Sequence, residues 1–390
     1  MSEIFDYWEL ILIPIFFALG WVAARVDMRQ VVHESRTLPR SYFEGLNFLL
    51  NEQSDKAIDS FLEVTRLDSE TIELHFALGN LFRRRGETDR AIRMHQNLID
   101  RDDLPQDLRL KALLELGQDF LNAGLLDRAQ AIFQKLETTP YEEQAKRHLL
   151  AIYQSGKEWE KAIVLAKKLP DIANQTEIAQ YYCELASQNL MRSQLDWARQ
   201  NIDSALSYNR QCARASILEG ELFLRLDNPK KAIESWQNVE QQNPSYLALL
   251  PVRIQDAYQK IHKEKEGLAL LKGYLARYPS VDLLDAVYLG VLKEEGMQAA
   301  FDLVKSELQR NPSLLGLERF LIGAQSLIKA QDKPDVELAK SIVQSYTKKL
   351  SRYFCTNCGF KARQFYWRCP ACGTWESMPP KRSEEFESLI

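Results

Sequence analysis

The stretch Leu78-Gly79-Asn80-Leu81-Phe82-Arg83, followed by Asp89-Arg90-Ala91-Ile92-Arg93, sets a frame that repeats along the chain. Gly79 stands twelve residues before Ala91, and Phe82 three after Gly79. Small residues return at Ala57, Ala91, Ala129, Ala162, Ala198, Ala232, Gly267 and Ala300, in steps of 33 to 38. Twelve residues before them lie Gly45, Gly79, Gly117, Leu150, Ala186, Gly220, Gln255 and Tyr288. Three beyond those come Phe48, Phe82, Phe120, Tyr153, Asn189, Phe223, Tyr258 and Val291. Pro244, Pro279 and Pro312 follow the last three small residues by twelve.

A period near 34 with this layout is that of the tetratricopeptide repeat, a pair of antiparallel helices stacked on its neighbours. Glycine or alanine at the helix crossing lets two backbones approach, and bulky residues one turn away, such as Phe61, Phe133 and Trp236, fill the gap between pairs. Proline stops the second helix because it cannot continue the hydrogen-bond ladder. The repeats around Gly267 and Ala300 fit least well. One more helix pair is expected from about Ser313 to Lys329 and from about Asp335 to Leu350. Trp159, Trp197 and Trp236 read as core residues at inter-helix positions.

Composition agrees with helices. Glycine and proline number 16 and 14 in 390 residues, well under the roughly 12% of an average chain, which argues against many short strands joined by turns. A net charge of −4 gives no whole-chain field toward nucleic acid or membrane. The charge is unevenly placed, however. Between Lys348 and Arg382 eight bases face a single acid, Glu376, so a basic C-terminal segment follows an acidic body.

Leu10 to Ala24 is an uncharged, mostly apolar run with Tyr7, Trp8 and Trp21 near its ends. Counted from Ile4, it approaches the roughly 20 residues of a membrane-spanning helix. Acids precede it, unlike a cleaved signal peptide. Arg25, Arg29, Arg36 and Arg40 follow it, which by the positive-inside rule places the N-terminus in the periplasm and the body in the cytoplasm. A buried core helix or an uncleaved hydrophobic arm is the competing reading.

Six cysteines divide into two groups. Cys183 and Cys212 are isolated in helical repeats and read as small buried hydrophobes. Cys355-Thr-Asn-Cys358-Gly359 and Cys369-Pro-Ala-Cys372-Gly373 form two knuckles with ten residues between them. This is a metal-site spacing, because two intervening residues let both thiolates turn toward one ion. Disulfides are disfavoured in a reducing cytoplasm. Four thiolates suit one zinc or one iron ion, with no open position for a substrate, so the site reads as structural. The knuckles resemble those of rubredoxin, with a much shorter insert.

Phe354, Phe360, Phe365, Tyr366, Trp367 and Trp375 interleave with Arg352, Lys361, Arg363 and Arg368 around the knuckles. Such a mixture can stack on and neutralise RNA, can form the module's own core, or can dock it on the helical array. In the array, Asn80, Arg83 and Arg84 are the candidate partner-binding residues, placed where first helices line a groove that could meet a carboxylate. A solvated basic turn before Gly86 is the alternative. The sequence holds no Walker A loop, no G-x-S-x-G and no His-Glu-x-x-His.

The order of anchor, repeats and knuckles resembles the lipopolysaccharide assembly protein B family along nearly the whole chain. Leu78–Arg83, Asp89–Arg93, Tyr182-Cys183-Glu184-Leu185-Ala186 and Tyr366-Trp367-Arg368-Cys369-Pro370 carry the likeness. The resemblance implies a non-enzymatic adaptor in the bacterial inner membrane. It implies action with a membrane-anchored AAA+ zinc protease (FtsH type) on the deacetylase that commits precursor to lipid A, and coupling to a periplasm-facing membrane sensor of lipopolysaccharide. It also assigns the family's metal ligands to Cys355, Cys358, Cys369 and Cys372. The alternatives are a membrane-tethered RNA-binding or assembly scaffold and an electron-transfer protein. The expected organisation is all-α: a transmembrane anchor over 1–24, a basic linker over 25–40, a tetratricopeptide superhelix of about eight repeats over 41–312, a terminal helix pair over 313–350, a rubredoxin-like metal module over 351–380 and a tail over 381–390.

Overall fold

The computed structural model describes residues 40–51, 53, 56–61, 72–169, 174–327, 333–350 and 353–382. The expected anchor over 1–24, all of the linker but Arg40, and the tail beyond residue 382 lie outside the described residues. Among the described residues no helix is long and apolar enough to cross a membrane.

The chain forms two compact units, Met1–Ser155 and Gly156–Ile390. In the first, helix Ile72–Arg84 pairs with Thr88–Ile99 and Gln106–Asn122 with Leu126–Leu136, and Glu142–Ser155 follows. The second begins with Trp159–Ala166. Its next helices are Asn174–Met191 with Leu195–Tyr208, and Ala213–Arg225 with Pro229–Gln242. A 3₁₀ turn, Pro244–Leu249, then leads into Pro251–Lys260 and Glu264–Arg277. Val281–Glu294, Met297–Arg310, Leu314–Leu327 and Lys333–Leu350 complete the helices.

The frame seen in sequence has a steric cause. A Cβ built on Gly117 would lie 2.7 Å from Phe133 Cε1, sixteen residues on. Gly45 with Phe61, Gly79 with His95 and Gly220 with Trp236 repeat that interlock at the same spacing. Phe61, Phe133 and Trp236 are fully buried, and the Trp236 indole N–H donates to the Ile217 carbonyl at 3.1 Å.

Among the described residues, the turns within the helix pairs each hold one residue in the left-handed region, Gly86, Gly124, Ser193, Asp227 and Gly296 among them. The Glu87 N–H then reaches back to the Phe82 carbonyl (2.9 Å) past Gly86, and the Leu125 N–H to Phe120 (2.9 Å) past Gly124. This is the six-to-one bond of a Schellman cap. In the second unit Ser193 and Asp227 hold the same conformation without being glycine. A cation often lies over the aromatic ring at this turn: Arg90 is 3.9 Å from the centroid of Phe82, Arg128 5.7 Å from that of Phe120 and Lys231 5.6 Å from that of Phe223.

Those pairs explain a correction. Trp159 and Trp236 are core residues, but Trp197 is 62% exposed. It immediately precedes Ala198, the position that Arg90, Arg128 and Lys231 hold in other repeats, and the ring it would cover is replaced by Asn189. The buried stripe of its helix is Ala198, Ile202 and Ala205 instead.

Candidate metal centre

The module after the last helix has almost no regular structure. Tyr353–Phe354 pairs antiparallel with Lys361–Ala362, and an isolated bridge joins Arg368 to Trp375. The knuckles lie within these two turns and are built alike. The Cys355 N–H donates to Phe360 (2.8 Å) and the Cys369 N–H to Thr374 (3.0 Å). Gly359 donates back to the Cys355 carbonyl and Gly373 to that of Cys369. Both glycines sit at positive φ, 75° and 72°, which a side chain rarely adopts. This turn brings the two thiols of each knuckle to one side.

The four sulfurs all lie within 4.8 Å of one another. Cys355 and Cys372 are 3.7 Å apart, as are Cys358 and Cys369. A tetrahedral ion with metal–sulfur bonds of about 2.3 Å would set its ligands about 3.8 Å apart, so the donor set fits a four-thiolate metal. Sulfurs this crowded cannot all ionise without a cation. Hydrogen bonds from Asn357 and Thr374 draw Cys372 down to about 5. Cys358 is pushed up to about 12: the Phe360 N–H pulls it down, but burial and the three neighbouring sulfurs outweigh that pull. Around them, Ser377 Oγ lies 3.2 Å from Cys355 Sγ, Thr374 Oγ1 3.3 Å from Cys372 Sγ, and Asn357 donates to Thr374 Oγ1 at 3.1 Å. Such outer partners orient metal-binding sulfurs.

The module's aromatics face the second unit's helices. Trp375 meets Trp159 and Tyr181 edge-on, each with centroids 6.0 Å apart. Trp367 lies 4.8 Å from Tyr246, and Phe365 packs on Tyr246 and Tyr353. Phe365, Trp367 and Trp375, three of the rings considered for RNA stacking, are therefore engaged within the chain. Arg214, 5% exposed, lies over both Trp367 and Trp375, at 5.4 and 5.9 Å.

Polar contacts finish the seat. Gln180 Nε2 donates to Glu376 Oε1 at 2.8 Å, and its Oε1 accepts from Arg214 at 3.3 Å. Arg214 also pairs with Glu184 at 2.8 Å. Burial holds the Glu376 carboxyl above the usual carboxylate range, against the pull of Arg214. Farther along, Arg382 forms a two-point pair with Asp282 at 2.7 and 3.1 Å, and the Tyr353 hydroxyl donates to the same carboxylate. Sequence reasoning did not select Gln180, Arg214, Tyr246 or Asp282. It did register Glu376 as the single acid in a basic segment, and that oddity was the available signal.

The three expected groove residues take different roles. Arg83 meets its carboxylates inside the chain: Glu115 Oε2 at 2.6 Å and Asp119 Oδ1 at 3.0 Å. Asn80 accepts from the same guanidinium at 2.6 Å. Asp119 is fully buried and also holds His95 Nδ1 at 2.5 Å. Asn80 and Arg83 thus belong to an inter-repeat polar cluster, because Glu115 and Asp119 project from the next first helix. Arg84 is exposed in the last turn of its own helix.

Residues 353–380 match a family model described as a rubredoxin metal binding domain, and residues 74–108 match one for the tetratricopeptide repeat. The chain is 34% identical to Lipopolysaccharide assembly protein B of Escherichia coli (strain K12), covering 95% of this chain and 97% of that protein. It is also 34% identical to the protein of the same name from Haemophilus influenzae, over 96% and 98%. Identity at this level, carried through both repeats and knuckles, places the chain in the lipopolysaccharide assembly protein B family.

Proposed function

We propose that the chain is a membrane-tethered adaptor in lipopolysaccharide assembly that acts by holding other proteins together. The observation that carries this reading is the chain-long similarity to proteins named for lipopolysaccharide assembly, spanning repeats and metal module alike. In finer detail, the adaptor presents the lipid A-pathway deacetylase to the membrane-anchored AAA+ protease and answers to a periplasm-facing membrane sensor of lipopolysaccharide. The apolar run over residues 1–24 serves as the inner-membrane tether, with the N-terminus in the periplasm and the body in the cytoplasm. A tether confines encounter to the membrane surface and raises the effective concentration of a membrane-bound partner, so modest affinity suffices.

The geometry supports a scaffold. A module pinned by four thiolates and bedded on the second unit's helices is a surface of fixed shape. Zinc or iron, one ion per chain, would hold it through Cys355, Cys358, Cys369 and Cys372. The ion's contribution is structural cross-linking of the two knuckles. A visible spectrum separates the metals, since zinc has a filled d shell and is colourless.

The deciding experiment follows deacetylase decay after translation is stopped, with and without this protein, in cells that keep the protease. Faster decay in its presence is expected. Equal decay would overturn the adaptor reading.

A further inference from the structure

The two cysteines outside the knuckles are not isolated in space. Cys183, within helix Asn174–Met191, and Cys212, the N-cap residue of helix Ala213–Arg225, bring their sulfurs to 3.7 Å. Both are fully buried, and no disulfide joins them. A disulfide needs about 2.05 Å between sulfurs, so each has to move by less than about 1 Å to bond. The two are chemically unequal. The hydrogen bond from Cys183 draws the Cys212 thiol down, whereas burial pushes the Cys183 thiol well up. Gln180 Nε2 lies 3.6 Å from Cys212 Sγ and is also the donor to Glu376 of the metal module. One amide therefore touches both the dithiol and the seat of the module.

We propose that Cys183 and Cys212 are a peroxide-responsive dithiol that closes to a disulfide beneath the metal module, with Gln180 linking its state to the module's seating. Cys212, as thiolate, attacks one oxygen of hydrogen peroxide. The O–O bond breaks, hydroxide leaves and is protonated to water, and Cys212 becomes a sulfenic acid. Cys183 then attacks that sulfur, the S–O bond breaks, and the Cys183 proton departs with the hydroxyl as a second water. Two thiols and one peroxide give one disulfide and two waters, two electrons passing from sulfur to oxygen. Cytoplasmic thiols return the pair to the reduced state. Closure moves Cys212 Sγ relative to Gln180 and loosens the amide that holds Glu376. Conversely, the seated module holds the Gln180 amide beside Cys212, so unseating it frees that amide and speeds oxidation.

The test uses the full chain with its metal bound. It is exposed to hydrogen peroxide, quenched by alkylation under denaturing conditions and digested without reduction. A Cys183–Cys212 linked peptide, removed by dithiothreitol and formed while metal content is still unchanged, is the expected result. The Cys183→Ser variant should instead accumulate a Cys212 sulfenic acid trapped by dimedone. Trp375→Ala, which takes away the ring against Trp159 and Tyr181, should form the linked peptide faster than the parent chain. Recovery of Cys183 and Cys212 as free thiols in both proteins while the knuckle sulfurs oxidise would overturn the proposal. So would linkage of either to a knuckle cysteine. Equal rates in the parent chain and Trp375→Ala would overturn the coupling to the module.

Discussion

Gln180 donates a 2.8 Å hydrogen bond to Glu376, 196 residues farther along the chain. The bond joins a first helix of the second unit to the only acid of a basic segment, and the carboxylate that accepts it is partly stripped of water. Burial raises the folded-state pKa of Glu376 above its ordinary 4.5. A carboxyl raised in this way binds its proton more tightly when docked than when free. Seating of the module is therefore strengthened as pH falls from neutral through the raised value, and the gain is complete below the unfolded value. Glu376→Gln keeps an oxygen for Gln180 without the charge and should flatten this dependence. Protease cleavage after Leu350, followed from neutral to mildly acid pH with metal content monitored, measures it. An unchanged slope in the variant would show that another group controls the seating.

Removing one sulfur tests the metal centre more directly. The module has two-residue strands and few buried residues, so metal binding must supply much of its folding free energy, on the order of 10 kcal/mol for structural zinc sites. Cys372→Ser should lose the ion and become protease-sensitive beyond Leu350, with helical circular dichroism largely retained. Elemental analysis beside limited proteolysis decides the outcome. Full metal content in the variant would contradict the four-thiolate assignment.

The cluster around Asp119 makes a different prediction. With Arg83 shortened to methionine, a fully buried carboxylate keeps, among the described residues, His95 alone as a side-chain partner. Breaking a buried ion pair from one side costs about 3–5 kcal/mol. Arg83→Met should therefore lower the melting temperature of the first unit substantially. A variant as stable as the parent would return Arg83 to the role of a groove residue awaiting an external carboxylate.

Two further substitutions test the repeat frame. Gly117→Ala puts a methyl group 2.7 Å from the Phe133 ring, and overpacking of this kind costs about 1–3 kcal/mol. Trp197→Lys restores the residue type found at that position in other repeats. It should leave stability within about 0.5 kcal/mol of the parent, as exposed substitutions do. Chemical denaturation of each purified variant gives both numbers. A large loss for Trp197→Lys would mean that this ring is covered in solution.

What the sequence made legible follows the range of the forces involved. The Gly–aromatic interlock and the Cys-x-x-Cys knuckles are written at short fixed offsets, because backbone approach and thiolate geometry leave few residue choices. The internal partners of Arg83 were not legible because its carboxylates stand 32 and 36 residues away, on a helix whose facing side chains no local pattern reveals. Trp197 was misjudged because a tryptophan beside a crossing alanine looks apolar and therefore buried, although the position itself faces solvent. Cys183 and Cys212 looked isolated for a related reason: they are 29 residues apart, and only the stacking of consecutive repeats makes them neighbours.

The long reach of the Gln180–Glu376 contact bears on how the chain is made. Ribosomes add roughly 5–20 residues per second, and domains begin to fold as they emerge. Glu376 is translated 196 residues after Gln180, a delay on the order of 10–40 s at that pace. Throughout it, Trp159, Tyr181, Arg214 and Tyr246 emerge without the rings that finally cover them. A nascent second unit thus passes through a stage with an apolar, cation-bearing face open to chaperones or premature partners. Completion of the last knuckle, and the metal it captures, closes that interval.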